Sequence, residues 1–174
     1  MMQPDQAKFL RDFLLPQLKS EQTTTKKILS SVPTDQGDYK PHPKCMSALE
    51  LTRHIAGTEM WFLDAVITQG FKDDEFMPKG LKTGADVARW YDENFAERIP
   101  RLEALSGEDL ATPVDYIGIL KDPAVTYLSL AIRHSVHHRG QLAAYLRPMG
   151  ARVPAIYVES ADEPFQQSAQ SASS

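Results

Sequence analysis

The residues best suited to chemistry in this chain are histidines, and three of its five lie together at positions 134, 137 and 138. Residues 125–146 contain no proline and repeat apolar residues at helical spacing, which predicts one long helix. At about 100° per residue, His134 and His138 project into the apolar stripe of that helix, while His137 points to one side. Side chains four residues apart on a helix have Cβ atoms about 5–6 Å apart, so the rings of His134 and His138 could share one metal ion.

A third histidine, His54, lies on another predicted helix, over residues 47–68. The start of this helix is well marked, because Ser47-Ala48-Leu49-Glu50 matches a capping box. Met46 and Leu51 are spaced to form the hydrophobic staple that accompanies such a box. A helical wheel places His54 on the same apolar side as Leu51, so its ring is expected to face the core.

Three core-facing histidines from two helices favour a metal site over three structural residues. A lone core histidine is usually a satisfied packing residue, whereas three neutral imidazoles in a dry core need several hydrogen-bond donors. Three histidines with a vacant fourth position form the ligand set of catalytic zinc sites. The sequence therefore predicts a divalent metal site at His54, His134 and His138. Metal binding is expected to weaken below pH ~6.5, the ordinary imidazole pKa, because protons compete for the same lone pairs.

The other histidines and one carboxylate have different interpretations. His137 is three residues from His134, so spacing alone permits it as a ligand, but the helical wheel favours His138. His42 lies between two prolines and is expected at the surface. Glu21, on the first predicted helix, falls at the edge of the apolar stripe. It is either a partner of a ligating histidine, a general base or a partly exposed side chain.

The elements that must position these residues are helical. Apolar periodicity predicts an all-α, four-helix up-down bundle, with connections long enough for neighbouring or diagonal pairing of the helices. A capping signal at Thr83-Gly84-Ala85-Asp86 marks the start of the third helix, and Pro100 is expected to kink or restart it. Asn94 and Arg98 fall in its apolar sector, where they either hydrogen-bond near the site or extend to solvent. The antiparallel helices are expected at about residues 5–32, 47–68, 83–105 and 124–148.

The remaining segments are predicted to be connections and a tail. Residues 106–123 are expected to form a connection whose 112–117 portion is open to an extended conformation. Residues 151–158 are too short and too rich in proline for a helix, so they are expected to pack extended across the bundle. A single domain is predicted over residues 1–165, followed by a disordered Gln, Ser and Ala tail at 166–174.

The helix that carries His54 has a second apolar stripe on nearly the opposite side. A surface helix needs only one such stripe, so the second either contacts other helices or forms a subunit interface. We therefore predict a homodimer. The stripe consists of Leu49, Ala56, Met60, Leu63 and Ile67.

Composition excludes several classes of protein. The chain is 42% hydrophobic, which is enough for a core, and no run approaches the roughly 18 apolar residues of a membrane span. A formal net charge of −4 without a basic block argues against nucleic acid or an anionic membrane as partner. The first residues lack the pattern of an export signal, and the single cysteine, Cys45, cannot form an internal disulfide. We expect a cytoplasmic protein with a small-molecule substrate.

Two motifs resemble the DinB/YfiT-like family of metal-binding four-helix bundles. The first is Glu50-Leu51-Thr52-Arg53-His54-Ile55-Ala56 with Glu59-Met60-Trp61-Phe62, and the second is His134-x-x-x-His138-Arg139-Gly140-Gln141-Leu142 with Tyr145-Leu146-Arg147 and Gly150. The resemblance covers about residues 8–164. It implies the four-helix fold, and it implies His54, His134 and His138 as ligands of a divalent metal such as zinc or nickel. Related bundles include thiol-dependent S-transferases and a mycothiol-dependent maleylpyruvate isomerase.

Two classes of function follow from these observations. In the first, the protein is a metal-dependent enzyme, either a hydrolase or a thiol-dependent S-transferase, because three neutral imidazoles leave the full charge on the ion and at least one open position. In the second, it is a stress-response protein that holds a metal or a small molecule without turnover. An open cleft that reaches the metal would favour the enzyme.

Overall fold

The computed structural model describes residues 1–72 and 78–164. The all-α, four-helix fold is confirmed, and a short helix and a two-stranded hairpin are added between the third and fourth long helices. The predicted disorder at 166–174 concerns residues outside the described ones. The elements are α1 (Pro4–Leu29), α2 (Ala48–Thr68), α3 (Gly84–Glu103), α4 (Gly107–Ala111), β1 (Pro113–Tyr116), β2 (Leu120–Pro123) and α5 (Thr126–Leu146).

Side-chain caps begin α2 and α3 at the positions that the sequence predicts. The Ser47 hydroxyl accepts a hydrogen bond from the Glu50 amide at 3.2 Å, and the Glu50 carboxylate accepts one from the Ser47 amide at 2.6 Å. The Thr83 hydroxyl accepts from the Asp86 amide at 3.1 Å. These bonds satisfy amide groups that would otherwise lack a partner in the first turn. The cap at Ser47 places His54 in the second turn of α2.

The helices form a bundle in which α1 and α2 are diagonal. Each of them packs against α3 and α5. The pair α2 and α5 is antiparallel, since Phe62 lies against the ring of His134 while His54 lies against His138. Both His54 and its α5 partners therefore face the same interface.

Two neighbouring pairs of helices, α2 with α3 and α1 with α5, run parallel rather than antiparallel. Glu59 contacts Tyr91, and Asp64 contacts Arg98, so the contacts advance in the same direction along both helices. The segment between α2 and α3 is long enough to return along the bundle, and Arg53 near the start of α2 donates a hydrogen bond to the Leu81 carbonyl. The predicted antiparallel packing therefore holds for α2 with α5 and for α1 with α3, but not for these two pairs.

The connection after α3 is more ordered than its sequence suggests. β1 and β2 pair as an antiparallel hairpin, so the extended conformation is confirmed at 113–116, while Ile117 lies in the turn with a positive φ of 46°. The Tyr127 hydroxyl donates to the Val114 carbonyl at 2.8 Å and ties the hairpin to α5. Pro100 does not restart α3, which continues to Glu103. Proline has no N–H, so the carbonyl group four residues earlier in α3 lacks its usual helical hydrogen bond. Because Pro100 is exposed, water can bond to that carbonyl group instead.

The second apolar stripe of α2 lies inside the chain. Ala56 and Leu63 are fully buried and Met60 is 2% exposed, because α2 packs against both α3 and α5. The stripe therefore no longer supports a subunit interface, and the homodimer stays a prediction without it. Within the described ranges, no helix is both long and apolar enough to cross a membrane.

A buried arginine joins α5, α1 and the segment after α5. Arg139 is 1% exposed, and its guanidinium group donates to the Glu21 carboxylate, to the Glu21 carbonyl at 2.9 Å and to the Thr25 hydroxyl at 3.1 Å. It also donates to the Tyr157 hydroxyl at 2.7 Å. Residues 151–158 form no helix or strand. The Tyr157 hydroxyl holds this segment across α1 and α5 through its hydrogen bonds with Glu21 and Arg139. The charge of Arg139 thus has a carboxylate partner at the centre of three segments.

A buried carboxylate joins α2 to the two helices beside it. Glu59 is 1% exposed and accepts a hydrogen bond from the Tyr91 hydroxyl of α3 at 2.7 Å and another from the Ser135 hydroxyl of α5. Burial raises the pKa of Glu59 to about 7, although both hydroxyl donors and the charge of Arg139 act in the opposite direction. Near neutral pH the Glu59 carboxyl group is therefore close to the midpoint of its titration, although it is buried.

Replacement of Glu21 by alanine should destabilise the fold strongly. The Arg139 charge would stay buried without its carboxylate, so we expect the free energy of unfolding to fall by about 3 kcal/mol. The control is Glu103→Ala, which breaks a pair with Lys19 in which both side chains are nearly half exposed, at 48% and 46%. That change should cost less than about 1 kcal/mol. Equal losses for the two variants in urea unfolding would show that the buried pair is not special.

Replacement of Glu59 by glutamine should change how stability depends on pH. Between pH 4.5, the ordinary pKa of this group, and its folded value of about 7, the native state binds the proton and the unfolded state does not. The stability of the natural protein therefore falls as pH rises through this window, whereas glutamine contributes no such loss. As pH rises from 4.5 to about 7, the unfolding free energy of Glu59→Gln minus that of the natural protein should therefore increase by on the order of 3 kcal/mol. A difference in unfolding free energy that stays flat with pH would contradict this.

Candidate metal centre

The three histidines singled out by the sequence meet between α2 and α5. The Nε2 atom of His54 lies 3.1 Å from that of His134 and 3.3 Å from that of His138. One ring nitrogen from each residue lies within 4.8 Å of the other two, an arrangement that could hold a metal ion. All three side chains are only partly buried, so the cluster is accessible from solvent.

These separations are those expected for ligands of one ion. With metal–nitrogen distances of about 2.0–2.1 Å and tetrahedral angles, ligand nitrogens lie about 3.3 Å apart. The Nε2 separations of 3.1 and 3.3 Å around His54 come close to this value. The side chains could therefore hold an ion with little rearrangement.

Hydrogen bonds on the far side of two rings orient them. The Nδ1 atom of His138 lies 3.0 Å from the Gln141 side-chain oxygen, which can only accept, so Nδ1 carries the proton and Nε2 keeps its lone pair. Gln141 is held in turn by a 3.4 Å hydrogen bond from its amide to the Tyr145 hydroxyl. On α2, the Thr58 hydroxyl lies 3.3 Å from Nδ1 of His54.

His134 differs from the other two histidines. Its Nδ1 atom is buried and has no hydrogen-bond partner among the described residues. The ring instead packs against Phe62, with centroids 5.9 Å apart. Its orientation therefore depends on packing and on the α5 backbone rather than on a hydrogen bond at Nδ1.

The cluster is electrically neutral at neutral pH. Burial, followed by repulsion from His138 and His54, lowers the pKa of His134 to about 3. Burial also lowers the pKa of His54, and that of His138, for which the Gln141 hydrogen bond acts in the opposite direction. All three rings therefore offer lone pairs at pH 7. Protons should compete with a metal only below the pH ~6.5 expected from an ordinary imidazole.

Aromatic side chains flank the cluster, and two grooves lie elsewhere on the described surface. Trp61, Phe71 and Tyr116 pack with Phe62, which contacts His134, and together they form an apolar wall. A groove of about 390 Å³ includes Trp61, Asp64 and Arg98 in its lining, and one of about 880 Å³ includes Cys45 and Arg53 in its lining. Neither groove is lined by the three histidines.

The other two histidines, His42 and His137, do not belong to the three-histidine cluster. His42 is exposed in the loop before α2, as expected. His137 is exposed as well, although its ring centroid lies 4.7 Å from that of His138. It is not part of the three-residue cluster. The helical wheel was therefore right about which histidines of α5 face α2.

Two polar groups have partners other than the histidines. Glu21 accepts from Arg139 and from the Tyr157 hydroxyl, so the structure gives it no contact with a candidate ligand. Its side chain is 19% exposed, which agrees with the reading of a partly exposed residue. Arg98 pairs with Asp64 at 2.6 and 2.9 Å and also bonds to Asn94. Asp64 lies ten residues beyond His54 along α2, or about 15 Å of helix.

The sequence did not assign roles to the residues that orient the rings. Thr58 was not singled out, and Gln141 and Glu59 entered only as parts of the two motifs. The usable signal was spacing, since Thr58 is four residues after His54 and Gln141 three after His138, which places them beside those rings on a helix.

Comparisons with known proteins agree with the fold and the motifs. The family model described as the DinB family matches residues 2–169. The uncharacterized protein YjoA of Bacillus subtilis strain 168 is 32% identical over 136 residues, which cover 75% of this chain and 85% of YjoA.

Two solved structures are similar over most of their length. The crystal structure of the DinB-like protein YjoA from Bacillus subtilis has a TM-score of 0.68 and 26% identity, covering 82% of this chain and 96% of that one. A DinB-like protein from Bacillus cereus ATCC 10987 has a TM-score of 0.70 and 22% identity, covering 83% of this chain and 95% of that one. Because the family model spans nearly the whole sequence and YjoA is a clear relative, this chain belongs to the DinB family.

Proposed function

We propose that this protein binds one divalent metal ion through His54, His134 and His138 and uses it in a reaction on a small-molecule substrate. The observation that carries the proposal is the approach of three imidazole nitrogens to 3.1 and 3.3 Å around His54. Membership of the DinB family agrees with it but names no reaction.

A purely structural role for the cluster is harder to explain. Hydrogen bonds can join the rings in pairs, but each neutral imidazole has one donor and one acceptor. The Gln141 contact assigns the proton of His138 to Nδ1, so His138 brings only a lone pair to the shared point. Lone pairs directed at one another repel unless a proton or a cation lies between them. The lowered pKa values of the three rings disfavour the extra proton that would make one of them an imidazolium. The Nε2 proton of a neutral ring can join one pair of rings at a time, whereas a divalent cation can bind all three lone pairs at once.

Zinc and nickel are the metals that this ligand set fits best. Imidazole nitrogen is a common ligand of both, whereas magnesium and calcium prefer oxygen. Three neutral ligands leave the full charge of the ion uncompensated and at least one position open. When bound, such an ion supplies Lewis-acid chemistry that activates water for hydrolysis or a thiol for S-transfer.

The protein's own residues would prepare the site for that chemistry. Gln141 and Thr58 hold two rings with Nε2 directed inward. Phe62 and its aromatic neighbours provide an apolar side against which a substrate can pack and which excludes water. The partial exposure of the three histidines leaves a route to the open position.

Alanine variants of the three histidines should lose metal. Protein expressed without a histidine tag is expected to bind one equivalent of zinc, measured by competition with a chromophoric chelator. His54→Ala, His134→Ala or His138→Ala should each weaken binding by more than about 100-fold, beyond the loss typical of residues that only orient ligands. His137→Ala and His42→Ala are the matched controls, and both should bind like the natural protein.

Two results would change this account. Full zinc stoichiometry in His138→Ala together with its loss in His137→Ala would show that another face of α5 carries the site. If the zinc- or nickel-loaded protein binds tightly but turns over neither esters and amides nor thiol-dependent transfer substrates, the site is one for metal storage or binding without catalysis.

A further inference from the structure

The metal centre is divided between two helices, so its geometry depends on how they are placed. His54 belongs to α2, whereas His134 and His138 belong to α5. The two histidines of α5 share one rigid helix, and their spacing is set by it. The distances from His54 to both are set instead by the packing of α2 against α5. Any contact that fixes this packing beside the rings can act on metal affinity.

Glu59 makes such a contact. Its carboxylate accepts a hydrogen bond from the Ser135 hydroxyl, and Ser135 directly follows His134 in α5. The bond therefore fixes the α5 backbone where the His134 side chain leaves it. His134 has no hydrogen bond at Nδ1 among the described residues, so its ring depends on this backbone more than the ring of His138 does.

The chemistry of Glu59 is unusual for a packing residue. A carboxylate that is 1% exposed loses its hydration, and its contacts here are two neutral hydroxyl groups rather than a cation. An apolar side chain of similar size would fill the space without that cost. Unlike an apolar side chain, the carboxylate can accept one hydrogen bond at each oxygen and so connect α2 to two other helices.

We propose that Glu59 is a positioning residue of the metal centre, which holds α5 against α2 through Ser135 so that His134 and His138 meet His54. The proposal rests on the metal-binding function proposed above. The second hydrogen bond, from Tyr91, ties the same carboxylate to α3, which carries no candidate ligand. The two hydroxyl groups thus give matched tests of positioning and of stability.

The experiment compares Ser135→Ala with Tyr91→Phe. Each variant removes one hydroxyl donor from the same carboxylate, and both should lower the unfolding temperature measured without metal. Zinc dissociation constants are then measured by chelator competition. Ser135→Ala should raise the constant about tenfold or more, as residues that orient metal ligands do. Tyr91→Phe should stay within about twofold of the natural protein, because it leaves the bond between α2 and α5 intact.

Glu59→Gln and Glu59→Ala complete the set. The glutamine oxygen can still accept from Ser135 while its amide faces Tyr91, so this variant should bind zinc nearly normally. Glu59→Ala should lose affinity as Ser135→Ala does. The absorption spectrum of the cobalt-substituted protein reports ligand geometry, and it should change in Ser135→Ala but not in Tyr91→Phe.

The outcomes separate this inference from the function on which it rests. If the natural protein binds zinc tightly and the two hydroxyl variants lose affinity equally, in step with their unfolding temperatures, Glu59 is a stabilising residue only. If His54→Ala binds zinc as the natural protein does, or if the natural protein takes up none, the metal site itself is wrong and the positioning role falls with it.

Discussion

Three imidazole lone pairs that point at one place repel one another, and the fold must hold them there. Here the Nε2 atom of His54 lies 3.1 and 3.3 Å from its two neighbours across an interface between helices. Burial keeps the rings neutral, so none of them carries the extra proton of an imidazolium. The Nε2 proton of one neutral ring can relieve the repulsion for only one pair of rings at a time. A divalent cation bound there would replace that repulsion with three metal–nitrogen bonds. The arrangement could hold a metal ion, and the surrounding helices keep the three rings together.

Polar groups inside the bundle hold those helices in place. Arg139 joins α5 to α1 through Glu21, and Glu59 joins α2 to α5 and α3. Neither group lies in the three-histidine cluster, and each is almost completely buried. A buried charged group contributes little to net stability, but removing one partner is costly because the other is left without compensation. Such contacts favour this packing of the helices over alternatives. The positions of the three histidine rings depend on that packing.

Much of the fold could be predicted because its signals are local. The caps at Ser47 and Thr83 and the spacing of His134 and His138 each involve residues within one or two turns of a helix. Contacts between distant segments could not be predicted in this way. The pairing of Arg139 in α5 with Glu21 in α1 is such a contact, since 118 residues separate the two in the sequence. The second stripe of α2 suggested a partner subunit because the sequence does not show that α3 runs parallel beside it and covers it.

X-ray absorption spectroscopy of the protein loaded with one equivalent of zinc counts the ligands around the ion itself. We expect a shell of nitrogen and oxygen atoms at about 2.0–2.1 Å with the outer-shell scattering of three imidazole rings. In His138→Ala, the scattering should fall to two rings. One imidazole or none in the natural protein would show that the three histidines do not bind the ion together, as would a count of three rings that His138→Ala leaves unchanged.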